Sequence, residues 1–164
     1  MEELYESYRS QSTRPLSKEA ESWLAEGRRI AKTVNCFDFV PSNYEQAWKA
    51  LDAMPRGRFC EWGSGLGIVT GLAAMLGFDA HGIEMDVELS CQSQKLLDSH
   101  RLKASISQGD YFKSEVRADL YYVYCWPNLM EATKEHFASI ALPHSLLLIC
   151  YGQDDIRTCT KAFS

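Results

Sequence analysis

A short glycine-rich stretch has the residue types and spacing to bind a polar ligand through its backbone. Gly63, Gly65 and Gly67 occupy alternate positions, with Ser64 between the first two. Glycine lets the backbone bend sharply and lets a ligand come close, because no side chain blocks the approach. An apolar segment with helical spacing follows. The first amides of that helix would be unpaired and would favour anionic or polar ligand groups.

Two acidic residues flank this turn and suit different parts of one ligand. Glu84 ends the next apolar strand pattern. An ionised acid there can accept hydrogen bonds from both hydroxyls of a ribose. Glu61 precedes the first glycine by two residues. A carboxylate at that position would repel a pyrophosphate but attract the ammonium of an amino-acid moiety. The pattern therefore predicts a nucleoside ligand that carries an amino-acid group.

The glycine spacing separates two cofactors that contain a nucleoside. A dinucleotide-binding turn reads Gly-x-Gly-x-x-Gly, whereas Ile68 stands here where the third glycine would fall and Gly67 comes one residue early. Together with Glu61, this spacing favours S-adenosylmethionine over a nicotinamide dinucleotide. The alternatives are a nicotinamide-dependent oxidoreductase and a strand-turn-helix that uses glycine only for tight packing.

These residues resemble the first motif of the class I S-adenosylmethionine-dependent methyltransferases, Glu/Asp-x-Gly-x-Gly-x-Gly. In that family an acid after the third core strand accepts from the adenine amino group, and the next backbone amide meets a ring nitrogen. Asp110 and Tyr111 match those positions. By the same resemblance, Met85 would lie against the adenine face. The alternatives are an Asp110 that caps a turn and a Met85 that belongs to the core.

The segment from Asp119 to Pro127 occupies the position of the family's fourth motif. Many amine methyltransferases carry Asn/Asp-Pro-Pro-Tyr there, whereas this chain has Tyr124, Cys125 and Trp126. An aromatic wall can hold an amine by cation–π attraction, worth about 0.5 to 2 kcal/mol. We therefore expect Tyr124 and Trp126 to shape an acceptor pocket, and we assign no general base. For Tyr124, a strand residue with one buried face is the alternative.

The chain also resembles a narrower group, over about residues 39 to 151. A Phe-Val-Pro-Ser segment precedes the core, and this layout is similar to the small protein-lysine methyltransferases that modify the ATP synthase c subunit and the adenine nucleotide carrier. The resemblance implies that Val40 and Pro41 cover the methionine end of the cofactor, and that the acceptor is a protein lysine or another amine. The missing fourth-motif Asn keeps a second hypothesis open, a non-catalytic S-adenosylmethionine-binding module that acts through a partner.

Alternating strand and helix patterns must position these residues, and they predict a Rossmann-like, doubly wound α/β sheet. We expect one domain over residues 1–164, with an N-terminal helical cap (1–55) on an α/β core (56–164). Right-handed crossovers give the strand order 3-2-1-4-5, and the ligand crevice then lies at the strand carboxyl ends, between strands one and four. The five expected strands are Arg58 to Trp62, Ala80 to Glu84, Ala104 to Ser107, Asp119 to Tyr124 and Ser145 to Tyr151.

The chain ends soon after the fifth of these strands. We therefore expect the last strands of the full methyltransferase fold to be absent. Strand five would then be an edge that the tail or a partner must cover, and a homodimer could form through it. For residues 1 to 15 we expect a short helix or a loose arm.

Composition narrows the class of protein. With 46% hydrophobic and 24% charged residues, 164 residues suit one globular domain. The net charge of -5 argues against non-specific nucleic-acid binding. The six cysteines contain no Cys-x-x-Cys pair, and the four histidines have no metal-ligand spacing, so no metal site is expected. An acidic start without a targeting pattern, and no long apolar run, lead us to expect a cytoplasmic protein without membrane insertion.

Overall fold

The computed structural model describes residues 3–34 and 42–162. Strands and helices alternate through most of the chain, and two short 3₁₀ turns lie at Tyr111–Lys113 and Pro127–Leu129. The strands are β1 (Leu4–Ser7), β2 (Arg58–Trp62), β3 (Asp79–Glu84), β4 (Ala104–Gln108), β5 (Leu120–Tyr124), β6 (Leu146–Cys150) and β7 (Ile156–Lys161). The helices are α1 (Lys18–Ala31), α2 (Tyr44–Asp52), α3 (Ile68–Met75), α4 (Val87–Ser99) and α5 (Met130–Ile140).

Five neighbouring strands are parallel and have the predicted order. They run β4-β3-β2-β5-β6, which confirms the order 3-2-1-4-5 for the strands expected from the sequence. In this register Trp62, the last residue of β2, lies beside Ile83 of β3 and Val123 of β5. The turn after β2 therefore lies at the same edge of the sheet as Glu84, at the end of β3, and Tyr124, at the end of β5. This is the point where the strand order reverses, and a crevice can form there.

The tail covers strand five, which is one of the expected alternatives, but the expectation that no further strand follows is wrong. The tail returns as β7, which pairs antiparallel with β6 from Leu146–Thr160 to Cys150–Ile156. The N-terminal residues, expected to be a helix or a loose arm, form β1 and pair antiparallel with β7. Since β7 satisfies the backbone groups of β6, the last antiparallel strand is not absent, and a dimer through the β6 edge has no open strand to pair with.

The N-terminal helices pack directly on α3, the helix that follows the glycine turn. Trp23 of α1 is fully buried, and its indole Nε1 donates to the backbone carbonyl of Ile68 at 2.9 Å. The absence of a side chain at Gly71 makes this approach possible, because a Cβ there would lie 2.4 Å from Trp23 Cζ2. The helical cap thus holds the first turn of α3 in place.

Replacing Trp23 with Phe is expected to lower the free energy of unfolding by about 2 to 4 kcal/mol. The change leaves a cavity beside Gly71 and deprives the Ile68 carbonyl of its indole donor. Urea denaturation measures the loss. Trp126→Phe is the matched control, since Trp126 is 46% exposed and its replacement should change stability by less than about 0.5 kcal/mol. Equal losses for the two variants would contradict this role for Trp23.

Three further observations concern the described part of the chain. None of its helices combines the length and the apolar character needed to span a bilayer. Its cysteines are free thiols, all buried apart from the exposed Cys91. No three of its His, Cys, Asp or Glu side chains are grouped in a way that could hold a metal ion.

Candidate functional site

A cleft of about 1010 Å³ opens at the carboxyl ends of β2, β3 and β5. That volume is sufficient for a ligand of nucleoside size or larger. Most of the residues predicted for the site line it, whereas Gly67 and Asp110 do not, and Val40 and Pro41 lie outside the described residues. The lining members of the predicted set are Glu61, Gly63, Ser64, Gly65, Glu84, Met85, Tyr111, Tyr124 and Trp126.

The glycine turn forms the floor of the cleft. Gly63, Gly65 and Gly67 have φ angles of 69°, 56° and 72°, a left-handed conformation that side-chain-bearing residues rarely adopt. A Cβ at Gly63 would meet no protein atom within 4 Å, so a ligand can approach the backbone there. At Gly67 a Cβ would lie 3.2 Å from the Cβ of Ser93. Gly67 therefore serves the turn and the packing of α3 on α4.

Ser64 contributes its backbone to the turn and turns its side chain away from solvent. Its amide and that of Gly63 both donate to the carbonyl of Ile83 at 2.9 Å, which ties the turn to β3. The Ser64 hydroxyl is buried without a hydrogen-bond partner among the described residues. It lies beside Gly82, where a Cβ would be 2.9 Å from Ser64 Oγ.

Glu84 is held at the cleft wall by two backbone amides. Its Oε2 accepts from the Gly65 amide at 2.7 Å and its Oε1 from the Asp86 amide at 3.1 Å. The residue is 9% exposed. A carboxylate oxygen can accept more than one hydrogen bond, so each oxygen can also receive a ligand hydroxyl. The arrangement suits two adjacent hydroxyls.

Glu61 lies deeper in the same cleft and in a different environment. It is 5% exposed, and its Oε1 accepts from the Thr70 hydroxyl at 2.7 Å and the Thr70 amide at 3.0 Å. Burial raises the pKa of Glu61 to about 8, and the nearby Glu84 adds to the rise, although the two Thr70 hydrogen bonds oppose it. Glu61 is therefore mainly protonated at neutral pH, and a cation placed beside it would favour its ionisation.

Asp110 is placed as a turn cap. Its Oδ1 accepts from the Phe112 amide at 3.0 Å and so begins the 3₁₀ turn. The side chain serves the turn and does not reach the cleft lining. Tyr111 does line the cleft: its ring stacks on Trp62 with centroids 5.2 Å apart and planes at 7°, and its hydroxyl lies 3.0 Å from Thr133 Oγ1.

The lip of the cleft presents apolar side chains to solvent. Met85 is 62% exposed and Val87 is 64% exposed, and both belong to the lining. Exposed apolar side chains of this size at a cleft are suited to the face of a planar ligand. At the other end, Tyr124, Cys125 and Trp126 extend β5 into the cleft.

Sequence reasoning missed the contribution of α2 to the site. Ser42 and Tyr44 line the cleft beside Glu61. Asn43 is the N-cap of this helix, with its side chain accepting from the Gln46 amide. A capping residue indicates where a helix starts but not which edge of the sheet the helix faces. Val87 was missed as well, because an apolar residue in the first turn of a helix usually indicates packing.

Comparison with known proteins places this geometry in context. No protein-family model matches the sequence, and no curated protein matches it. An RNA methyltransferase from Salinibacter ruber in complex with S-adenosyl-L-homocysteine superimposes with a TM-score of 0.57 at 15% identity, over 90% of this chain and 93% of that one.

Two further solved structures agree with this architecture. S-adenosyl-L-homocysteine-bound methyltransferase PaMTH1 from Podospora anserina has a TM-score of 0.63 at 12% identity, over 83% of this chain and 63% of that one. An S-adenosylmethionine-dependent methyltransferase from Geobacter sulfurreducens, in complex with S-adenosyl-L-homocysteine, has a TM-score of 0.57 at 20% identity, over 72% and 51%. The chain thus spans less than two thirds of either protein. At these identities the likeness concerns architecture: this chain has the α/β fold of the S-adenosylmethionine-dependent methyltransferases.

Proposed function

We propose that this chain is an S-adenosylmethionine-dependent methyltransferase whose cofactor binds in the cleft. The observation that carries the proposal is the carboxylate of Glu84, which two backbone amides hold at the cleft wall beside an open glycine turn. A buried acid with spare acceptor positions next to bare backbone fits a nucleoside better than a purely structural turn.

The residues of the cleft fit the parts of this cofactor. Glu84 would hold the ribose hydroxyls, and the backbone from Gly63 to Gly65 would contact the methionine moiety. Glu61 would face its ammonium, and Met85 would cover the adenine. For the adenine edge the candidates are the Asp110 carboxylate, whose Oδ1 accepts from the Phe112 amide and which can accept a further hydrogen bond, and the Tyr111 backbone.

The chain's contribution to catalysis would be alignment and exclusion of water. When bound, S-adenosylmethionine supplies a methyl group on a sulfonium: the acceptor's lone pair bonds to the methyl carbon, the carbon–sulfur bond breaks, the sulfur becomes neutral and the acceptor gains the positive charge. Tyr124 and Trp126 would position the acceptor. The segment from Tyr124 to Trp126 contains no His, Asp or Glu, so we assign no general base there.

For the acceptor we propose an amine, with a protein lysine as the first candidate and the cytoplasm as the setting. The exposed Trp126 ring beside Tyr124 at the cleft supports an amine, because an aromatic face attracts the positive charge that an amine nitrogen gains when it is methylated. The net charge of -5 favours a protein over a nucleic acid.

The second candidate function is a module that binds the cofactor without transferring its methyl group. Cys125 and Trp126, in place of the expected Asn or Asp, support it.

Two measurements test these proposals in turn. Calorimetry with S-adenosylmethionine and S-adenosylhomocysteine should show saturable binding, and its absence below about millimolar ligand would reject the cofactor assignment. The protein is then incubated with cell extract and cofactor labelled on the methyl group, and the products are resolved on a gel. A labelled protein band is expected. Label in nucleic acid or in small molecules would exclude a protein acceptor, and binding without label transfer would favour the non-catalytic module.

A further inference from the structure

A second, smaller cavity adjoins the cleft at the carboxyl ends of β5 and β6. Its volume is about 300 Å³, enough for a side chain or a small ring. Tyr124, Cys125 and Trp126 line both the cavity and the cleft. A group in the second cavity therefore lies next to the place where β5 meets the cleft. The other residues of its lining are Pro127, Met130, Tyr151 and Gly152.

No Lys, Arg, His, Asp or Glu side chain of the described residues lines this second cavity. Its walls are three aromatic rings, a thiol, a thioether, a proline and a glycine. A cation there would meet no carboxylate of the lining, and the Arg157 and Lys134 cations already lie over the Tyr151 ring. The second cavity therefore suits an uncharged group. For an amine this is the deprotonated form, which is also the nucleophilic one.

Tyr151, one wall of the second cavity, is held by the first strand of the chain. Its hydroxyl donates to Oε1 of Glu6 in β1. The same carboxylate binds Lys134, with Nζ 2.5 Å from Oε1, and Arg157, with one guanidinium nitrogen 3.2 Å from Oε2. Both cations also lie over the Tyr151 ring, Arg157 Cζ at 4.1 Å and Lys134 Nζ at 5.5 Å from its centroid.

Glu6 is the common partner of these three groups. Partial burial by itself would raise the pKa of Glu6, but hydrogen bonds from Lys134, Tyr151 and Arg157 together lower it, so Glu6 is ionised at neutral pH. It lies 145 residues from Tyr151 in the sequence, and β1 ends the sheet beside β7. Without this carboxylate the Tyr151 hydroxyl loses its acceptor and the two cations lose a shared counter-ion.

We infer that the second cavity is the subsite for the uncharged end of the methyl acceptor, an inference that rests on the proposed function. In this inference Glu6 is a positioning residue for the subsite. Glu6 fixes the Tyr151 ring, and the ring forms one wall of the second cavity. The N-terminal strand then helps to determine which acceptor is used, although it lies outside the cofactor cleft.

The five methionines provide separate reporters for the two spaces. Met85 lines the cleft and Met130 lines the second cavity, so the protein is labelled with 13C-methyl methionine and followed by NMR. S-adenosylhomocysteine should shift the Met85 signal. n-Butanol, an uncharged analogue of a lysine side chain, should shift the Met130 signal saturably. n-Butylammonium, of equal length but charged, should bind at least about tenfold more weakly.

Variants test the role of Glu6. Glu6→Gln removes the charge that Lys134 and Arg157 share, and Tyr151→Phe removes the hydroxyl that donates to Glu6. Each change should weaken n-butanol binding by about fivefold, and the double variant should lose less than the sum of the two single losses, because both changes loosen the same ring. Glu3→Gln makes the same chemical change three residues away and should have no effect. The Met85 response to S-adenosylhomocysteine should be the same in all variants.

The outcomes separate the two proposals. A Met130 signal that n-butanol does not shift would overturn the subsite, and equal binding of n-butylammonium would overturn its preference for an uncharged group. Wild-type affinity in Glu6→Gln, or additive losses in the double variant, would overturn the positioning role. If Met130 responds as expected but Met85 ignores S-adenosylhomocysteine, the proposed function fails, and the acceptor role of the second cavity fails with it.

Discussion

Replacing Glu84 with alanine is expected to weaken S-adenosylhomocysteine binding by about 1.5 to 3 kcal/mol, roughly 10- to 150-fold. The variant loses the acceptor for two ribose hydroxyls. It also leaves the amides of Gly65 and Asp86 without their hydrogen-bond partner, which loosens the turn that contacts the methionine moiety. Isothermal calorimetry measures the change.

Glu115→Ala is the matched control for this experiment. Glu115 is exposed and does not line the cleft, so its loss should leave the affinity unchanged. Thermal denaturation of both variants shows whether the Glu84 variant is folded at the temperature of the titration. A folded Glu84→Ala protein with wild-type affinity would mean that the ribose binds elsewhere.

The central sheet and the glycine turn could be predicted because their determinants are local. Three of the parallel strands, β2, β3 and β5, are each followed by a helix, and right-handed crossovers leave few arrangements for such a series. The turn is specified by three glycines that need a left-handed conformation. Glu61 and Glu84 follow as residues at the carboxyl ends of neighbouring strands, so topology alone brings them to one cleft.

The antiparallel edge could not be predicted from local patterns. The segments of β1 and β7 are short and polar, and each becomes a strand only through pairing with a partner distant in sequence. The contact between Glu6 and Tyr151 depends on that pairing. Asp110 illustrates a different limit of sequence-based prediction. An aspartate can cap a turn or bind a ligand, and its residue type does not distinguish the two; in the structure it accepts from the Phe112 amide.

The two glutamates of the cleft have different surroundings, and the environment of Glu61 governs how binding depends on pH. Glu84 receives two backbone amides and stands at the wall. Glu61 is buried next to Thr70, and its burial raises the pKa to about 8. Before a ligand arrives, Glu61 is therefore mostly neutral below that pH. A ligand ammonium would have to shift it to the ionised form.

The affinity for S-adenosylhomocysteine is expected to rise with pH from about 6 to about 7.5, by up to tenfold per unit, because binding must remove the proton from Glu61. The affinity rises with pH because the pKa of Glu61 is high in the free protein and is lowered by the ammonium of the ligand. This range lies below the pKa of the ligand's own amino group, so the ligand is an ammonium throughout it. Calorimetry in two buffers that differ in ionisation enthalpy should detect the release of about one proton per ligand.

Glu61→Gln should remove this pH dependence. The amide is neutral at every pH, so the variant should match the wild type near pH 6 and bind up to about 30-fold more weakly near pH 7.5. Its Oε1 can still accept from Thr70, which keeps the local fold intact. Glu115→Gln, an exposed site, should keep the wild-type slope. If wild-type affinity is flat across this range and no proton is released, Glu61 does not meet the ammonium, and the methionine end of the cofactor binds elsewhere in the cleft.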